Sequence, residues 1–131
     1  MTRFEIVEAT LTAELAKPYA FGIADCFFLG IAMLDALSGS DNRKKFAKAY
    51  RTMAGAQRAL RRRGHTSLVP LFETLTERCA PAEARLGDIV ILQLGPHEHV
   101  GICLGSRFIT KIEIGQSYHN LTDCIAAFRA G

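Results

Sequence analysis

The chain has 131 residues, 49% of them hydrophobic and 22% charged, with a formal net charge of +3. This length and apolar content suit one domain with a real core, and ordinary glycine and proline usage excludes fibrous and disordered classes. The expectation is a single soluble domain over residues 1–131. Its most apolar run, Cys26 to Leu34, is well short of the roughly 20 residues that cross a bilayer, so no membrane partner is expected. The N-terminus has acids at Glu5, Glu8 and Glu14 where a secretory signal needs a basic head and an apolar run. If the protein leaves a cell, something other than a cleaved leader carries it.

In chain order, Phe4, Val7, Leu11 and Leu15 repeat at the spacing of one helix face, and Lys17-Pro18 ends that helix. Asp25 to Leu37 is apolar on almost every side, which predicts a helix buried in the middle of the domain, closed by Ser38-Gly39. From Arg43 to Arg63 stand nine of the 16 Lys/Arg and none of the 13 acids, so a basic helical insert at about 40–80 rides on an otherwise mildly acidic body. Its stripe of Phe46, Tyr50, Met53, Ala56 and Leu60 is predicted to face inward, with a break near Tyr50 or Gly55. Ser67 caps a further helix, and the helical reading extends to Cys79.

Beyond Pro81 the runs "GDIVILQLG", "HVGICLG" and "RFITKIEIG" are short, β-branched and bounded by glycine, as strands are. Gly105-Ser106 is the loop of a tight hairpin, which pairs Leu104 with Arg107, Gly101 with Thr110 and His99 with Ile112. The tail "LTDCIAAFRA" is predicted as a short helix or turn. The fold class is therefore α+β, a helical half packed on a small antiparallel sheet.

The four cysteines, at 26, 79, 103 and 124, form no CxxC pair, so neither a zinc ribbon nor a dithiol redox motif is present, and three of them read as core residues. Cys26 differs in its setting. It follows Asp25, a natural cap, at the start of the buried helix, where the partial positive charge of the helix end favours a thiolate. A base is needed, and His99 is the histidine inside a convincing strand. Thr110 shares its face as a diagonal neighbour across the hairpin, so its hydroxyl is a candidate orienter for the imidazole. Gly101 is predicted to leave room beside that ring for another chain or a substrate.

"PYAFGIADC", "LGDIVIL", "HVGICLG" and "FIT", in this order over about residues 18–110, resemble the NlpC-type cysteine peptidases, papain-like enzymes of bacterial cell-wall turnover and phage tails. The resemblance implies a papain-like fold with Cys26 as nucleophile, His99 as base and then acid, and the Cys26 N–H in an oxyanion hole. Tyr19 would line the site. The implied substrate is a peptidoglycan stem peptide, cut through a thioester, with no metal or cofactor. Two departures stand out: Phe27-Phe28 follow Asp25-Cys26 where Ser-Gly is common, and Thr110 stands where His is common. The first suggests a changed pocket, with Asp25 and Phe27 as candidate substrate contacts. The insert is similar to that of a branch associated with phages and gene-transfer particles, so the implied setting is synthesis in a bacterial cytoplasm, incorporation into a phage-like particle, and tail proteins as partners.

Three other readings remain open. His97 and His99, with Cys26 or Cys103 nearby, allow a zinc site to be imagined. The basic segment attracts phosphate, although nucleic acid is not the expected partner because its aromatics fall on the core stripe. The most serious rival to an enzyme is a catalytically silent papain-like module, a structural piece of a phage-like tail tip.

Overall fold

The computed structural model describes residues 1–131. Five helices come first, α1 (Arg3–Ala16), α2 (Cys26–Ser38), α3 (Asn42–Phe46), α4 (Met53–Arg62) and α5 (Leu68–Glu73). Six strands follow, β1 (Arg78–Cys79), β2 (Ile89–Leu94), β3 (His97–Cys103), β4 (Phe108–Ile112), β5 (Gly115–His119) and β6 (Cys124–Phe128). They form one antiparallel sheet in the order β1-β6-β2-β3-β4-β5. No helix is long and apolar enough to cross a membrane.

The centre of the fold is α2, whose residues Phe27 to Leu34 are all buried. A helix apolar on every side must be covered on every side, and here the cover comes from α1, α3 and α5 on one flank and the sheet on the other. Ile89, Ile91, Val100, Ile102, Ile109 and Phe128 supply the sheet's inner face. Gly30 permits the closest approach, since a Cβ there would lie 2.4 Å from Cγ1 of Val100. Gly39 ends α2 in the left-handed conformation, as the Ser38-Gly39 signal implies.

The β3–β4 hairpin has the predicted register as far as Gly101, but the expected pairing of His99 with Ile112 does not form, because the ladder stops there and Ile112 pairs only with Gly115. The Leu104 N–H donates to the Arg107 carbonyl at 2.8 Å, and Gly101 stands opposite Thr110. Several expectations are corrected. Helix does not reach Cys79: α5 stops at Glu73, and Arg78–Cys79 is an edge strand on β6. The tail is not helical beyond a single 3₁₀ turn at Leu121–Asp123, because Cys124–Phe128 inserts between β1 and β2 as an inner strand. The room that Gly101 leaves is taken by neighbouring strands and not by open space, since a Cβ there would come within 3.0 Å of both the Ile109 carbonyl and Leu92 Cδ1.

The basic insert breaks between Phe46 and Met53, nearer its start than Gly55. Phe46 is buried and Tyr50 half-buried, but Met53 is 43% exposed and α4 buries none of its residues. The predicted inward stripe is interrupted at Met53 and returns only at Leu60, which is half-buried and packs against the core. Helix α4 is carried beside the domain, not within its core.

Candidate active site

Cys26 owes its place to the cap that precedes it. Asp25 is extended (φ −110°, ψ −172°), and its Oδ1 accepts the Phe28 N–H at 2.9 Å, satisfying one of the free N–H groups of the helix start. Its Oδ2 accepts the Gly22 N–H at 3.0 Å and the Tyr50 hydroxyl at 2.5 Å. Asp25 is only 3% exposed. Although it borders the cleft described below, its carboxylate is held by the turn, which argues against the substrate contact expected of it. Gly22, at φ 81°, turns the chain so closely under Tyr50 that a Cβ would fall 1.8 Å from the Tyr50 carbonyl oxygen. Tyr50 is the residue that sequence reasoning missed. Its place on an apolar stripe signalled burial, but nothing local signalled a partner 25 positions away.

Burial pushes the Cys26 thiol up to about 11, against the downward pull of the Val100 and Phe27 N–H groups and the Thr110 hydroxyl; the Asp25 carboxylate adds to the rise. The sulfur is therefore a neutral thiol at pH 7, and the expected gain from the helix N-terminus is outweighed by loss of water.

His99 projects from β3 opposite Leu92 and is half-buried. Burial pushes its imidazole below the ordinary 6.5, with the charges of His97 and His119 adding to the effect. Its Nδ1 is buried and has no hydrogen-bond partner. Thr110 does not orient it. The β3–β4 ladder stops at the Gly101–Thr110 pair, and the Val100 carbonyl just beyond takes the Thr110 hydroxyl at 2.7 Å. Thr110 is fully buried and faces the Cys26 sulfur instead.

Cys26, Tyr19, Phe27 and His99 border one cleft of about 600 Å³, which continues along α4 past Leu60 and Arg61. The Tyr19 hydroxyl lies against the Cys26 backbone N–H, and burial pushes its phenol above the ordinary 10, helped by the charges of Cys26 and Asp25. Phe27 is 8% exposed and stands edge-on to Phe28, Phe46 and Phe72, so it is core that shows one edge to the cleft floor. Between His97 and His99, Glu98 accepts from the Ser67 hydroxyl at 2.9 Å and the Leu68 N–H at 2.8 Å, tying α5 to β3. No three His, Cys, Asp or Glu side chains converge as metal ligands. The remaining cysteines lie around the second face of the sheet, where Cys103 is buried and Cys79 and Cys124 pack against its small apolar cluster.

The fold and the cleft define an α+β protein in which a helix-start thiol and a strand imidazole share one opening. Residues 2–130 match the family described as "Domain of unknown function (DUF6950)", and the chain belongs to that family. No curated protein and no solved structure matches it.

Proposed function

We propose that this protein is a papain-like cysteine peptidase with Cys26 as nucleophile and His99 as general base. The observation that carries the reading is a helix-start thiol sharing a cleft with an imidazole whose Nδ1 is buried and unpartnered. A buried polar nitrogen without a partner is costly and calls for a reason, and a catalytic role is one. Because burial raises the thiol and lowers the imidazole, the pair rests neutral at pH 7. His99 then acts as a base in the attack itself, not as the partner of a standing thiolate.

In this reading the sulfur attacks the scissile carbonyl carbon while its proton passes to His99. The oxyanion that forms is met by the Cys26 N–H once the substrate displaces the Tyr19 hydroxyl that lies against it. The imidazolium returns the proton to the departing amine, leaving a thioester. A water that gives its proton to His99 then cleaves the thioester and restores the thiol. The resemblance of Tyr19 to Cys26 and His99 to Gly105 to NlpC-type peptidases supports peptidoglycan stem peptides as substrate and a phage-like particle, with its tail proteins, as the setting.

The test is digestion of purified peptidoglycan followed by mass analysis of released peptides. New amine and carboxyl ends are expected, and none with Cys26→Ala. Intact stem peptides across several wall types would overturn the substrate assignment.

A second reading, a catalytically silent module of a tail tip, is favoured by a specific observation: no hydrogen bond links Thr110 to His99, so the imidazole lacks the orienter that a fast enzyme uses. Selective, His99-dependent reactivity of Cys26 separates the two.

A further inference from the structure

The long arm of the cleft carries two arginines and a histidine with no free acid among them. Arg61, Arg63 and His65 line it, while the two carboxylates that border it are engaged. Asp25 holds two N–H groups and the Tyr50 hydroxyl, and Glu98 holds Ser67 and the N-terminus of α5. From Asn42 to Phe72 the chain contains no acid at all. Arg43 pairs with Glu14 and Lys44 with Asp41, but Arg61 and Arg63 form no ion pair.

Arg63 is also held in place. Its guanidinium lies 4.6 Å from the centroid of the buried Phe46 ring, and one of its nitrogens donates to the Lys45 carbonyl at 3.4 Å. Stacking fixes the plane of the guanidinium and leaves its other N–H groups without protein acceptors. A planar, oriented guanidinium suits a carboxylate, which it meets with two parallel hydrogen bonds. Helix α4 touches the core only through the half-buried Leu60, and its arginines are left on the cleft side and the surface.

We infer that the α4 side of the cleft, through Arg61 and Arg63, is a binding subsite for the carboxylate groups of an acidic peptide whose chain runs toward Cys26. This names the substrate class of the site read above as a peptidase, and so rests on that reading for its functional meaning. A peptide is favoured over nucleic acid because the arginine-lined arm offers no base platform of its own: Phe46 and Phe27 are buried, and the half-buried Tyr19 and Phe21 lie at the Cys26 end. The volume of about 600 Å³ is that of ordinary small-ligand sites, suited to a short segment and not to a duplex.

The experiment uses the full chain with Cys26→Ala, so that binding is read without turnover. The probes are the blocked tetrapeptide Ala-Glu-Ala-Glu, its lysine counterpart Ala-Lys-Ala-Lys and a short oligothymidine, each titrated by calorimetry at low and physiological salt. Binding of the glutamate peptide alone is expected, weakened about tenfold by Arg61→Glu with Arg63→Glu, the size of one charge-assisted contact. Arg61→Gln with Arg63→Gln, checked for an unchanged melting temperature, guards against loss through misfolding and is expected to weaken binding severalfold. Equal binding of both peptides, no binding, tighter binding of the oligonucleotide, or indifference to both double substitutions would overturn the inference. Failure of Cys26 to react selectively in the wild-type chain would sink the peptidase reading while leaving the acidic-peptide result to stand or fall by itself.

Discussion

The Tyr50 hydroxyl donates to the buried carboxylate of Asp25 at 2.5 Å, and that carboxylate caps the helix whose first residue is Cys26. The insert therefore holds the start of α2 from outside it. Tyr50→Phe removes the donor and leaves the ring, and hydrogen bonds to a buried charged acceptor contribute about 1.5–3 kcal/mol. Denaturant unfolding is expected to show a loss in that range with an unchanged slope. A loss below about 0.5 kcal/mol, the usual scatter of surface substitutions, would mean that the insert does not brace the helix start.

Gly22 and Gly39 separate two reasons for glycine. Both have positive φ, 81° and 71°, but a Cβ at Gly22 would strike the Tyr50 carbonyl oxygen, whereas one at Gly39 meets nothing within 4 Å. Gly39→Ala is expected to cost about 1 kcal/mol, the conformational term alone. Gly22→Ala must also displace the Tyr50 backbone and is expected to cost well over twice as much, about 3 kcal/mol or more. Comparison of the two melting curves checks this; equal costs would place the close approach in error.

The elements around the cleft were legible because each carried its own local signal. Asp25 before an all-apolar run marked the start of α2, and Gly105-Ser106 between two β-branched runs fixed the pairing of Gly101 with Thr110. What could not be read depended on distant partners. Cys124–Phe128, "CIAAF", has neither alternation nor a helical stripe, since an inner strand between β1 and β2 is apolar on both faces. The polar "GQSYH" of β5 is an edge strand whose only partner is β4. The position of Thr110 was correctly counted, but its hydroxyl turned to the Val100 carbonyl left free where the β3–β4 ladder stops.

Asp88 is the anchor where both ends of the chain meet. Wholly buried, it accepts from Arg3 at 3.0 Å, Arg129 at 3.2 Å, and the Arg85 and Ala130 N–H groups at 2.8 and 3.0 Å. Burial alone would raise its carboxyl, but the Arg85 and Ala130 N–H groups and the Arg85 guanidinium hold it below its ordinary 3.8. The folded state thus binds this proton less readily than the unfolded chain. The stabilisation is present above the ordinary value and is lost as pH falls through the lowered one. Stability is expected to drop as acid is added below about pH 4. Asp88→Asn should cost about 3 kcal/mol at neutral pH and flatten the acid limb, as read by urea unfolding across pH.

The hydrolysis proposed above would take its pH dependence from the neutral pair. With the imidazole below 6.5 and the thiol pushed up to about 11, turnover should hold across neutral pH and fall only on the acid side of 6.5 as His99 takes a proton. A profile that rises steadily from pH 7 toward 10 would show that thiolate formation, not the imidazole, limits attack.

The proton transfer between Cys26 and His99 is tested most directly by the pH profile of Cys26 alkylation with iodoacetamide, resolved from Cys79, Cys103 and Cys124 by peptide mapping. In the wild-type chain, Cys26 is expected to react fastest of the four at neutral pH, with a break below 6.5 where His99 titrates, and His99→Ala should remove both the break and the advantage. Superimposable profiles for the two proteins, climbing only toward the alkaline value of the buried thiol, would contradict the assignment of His99 as the base.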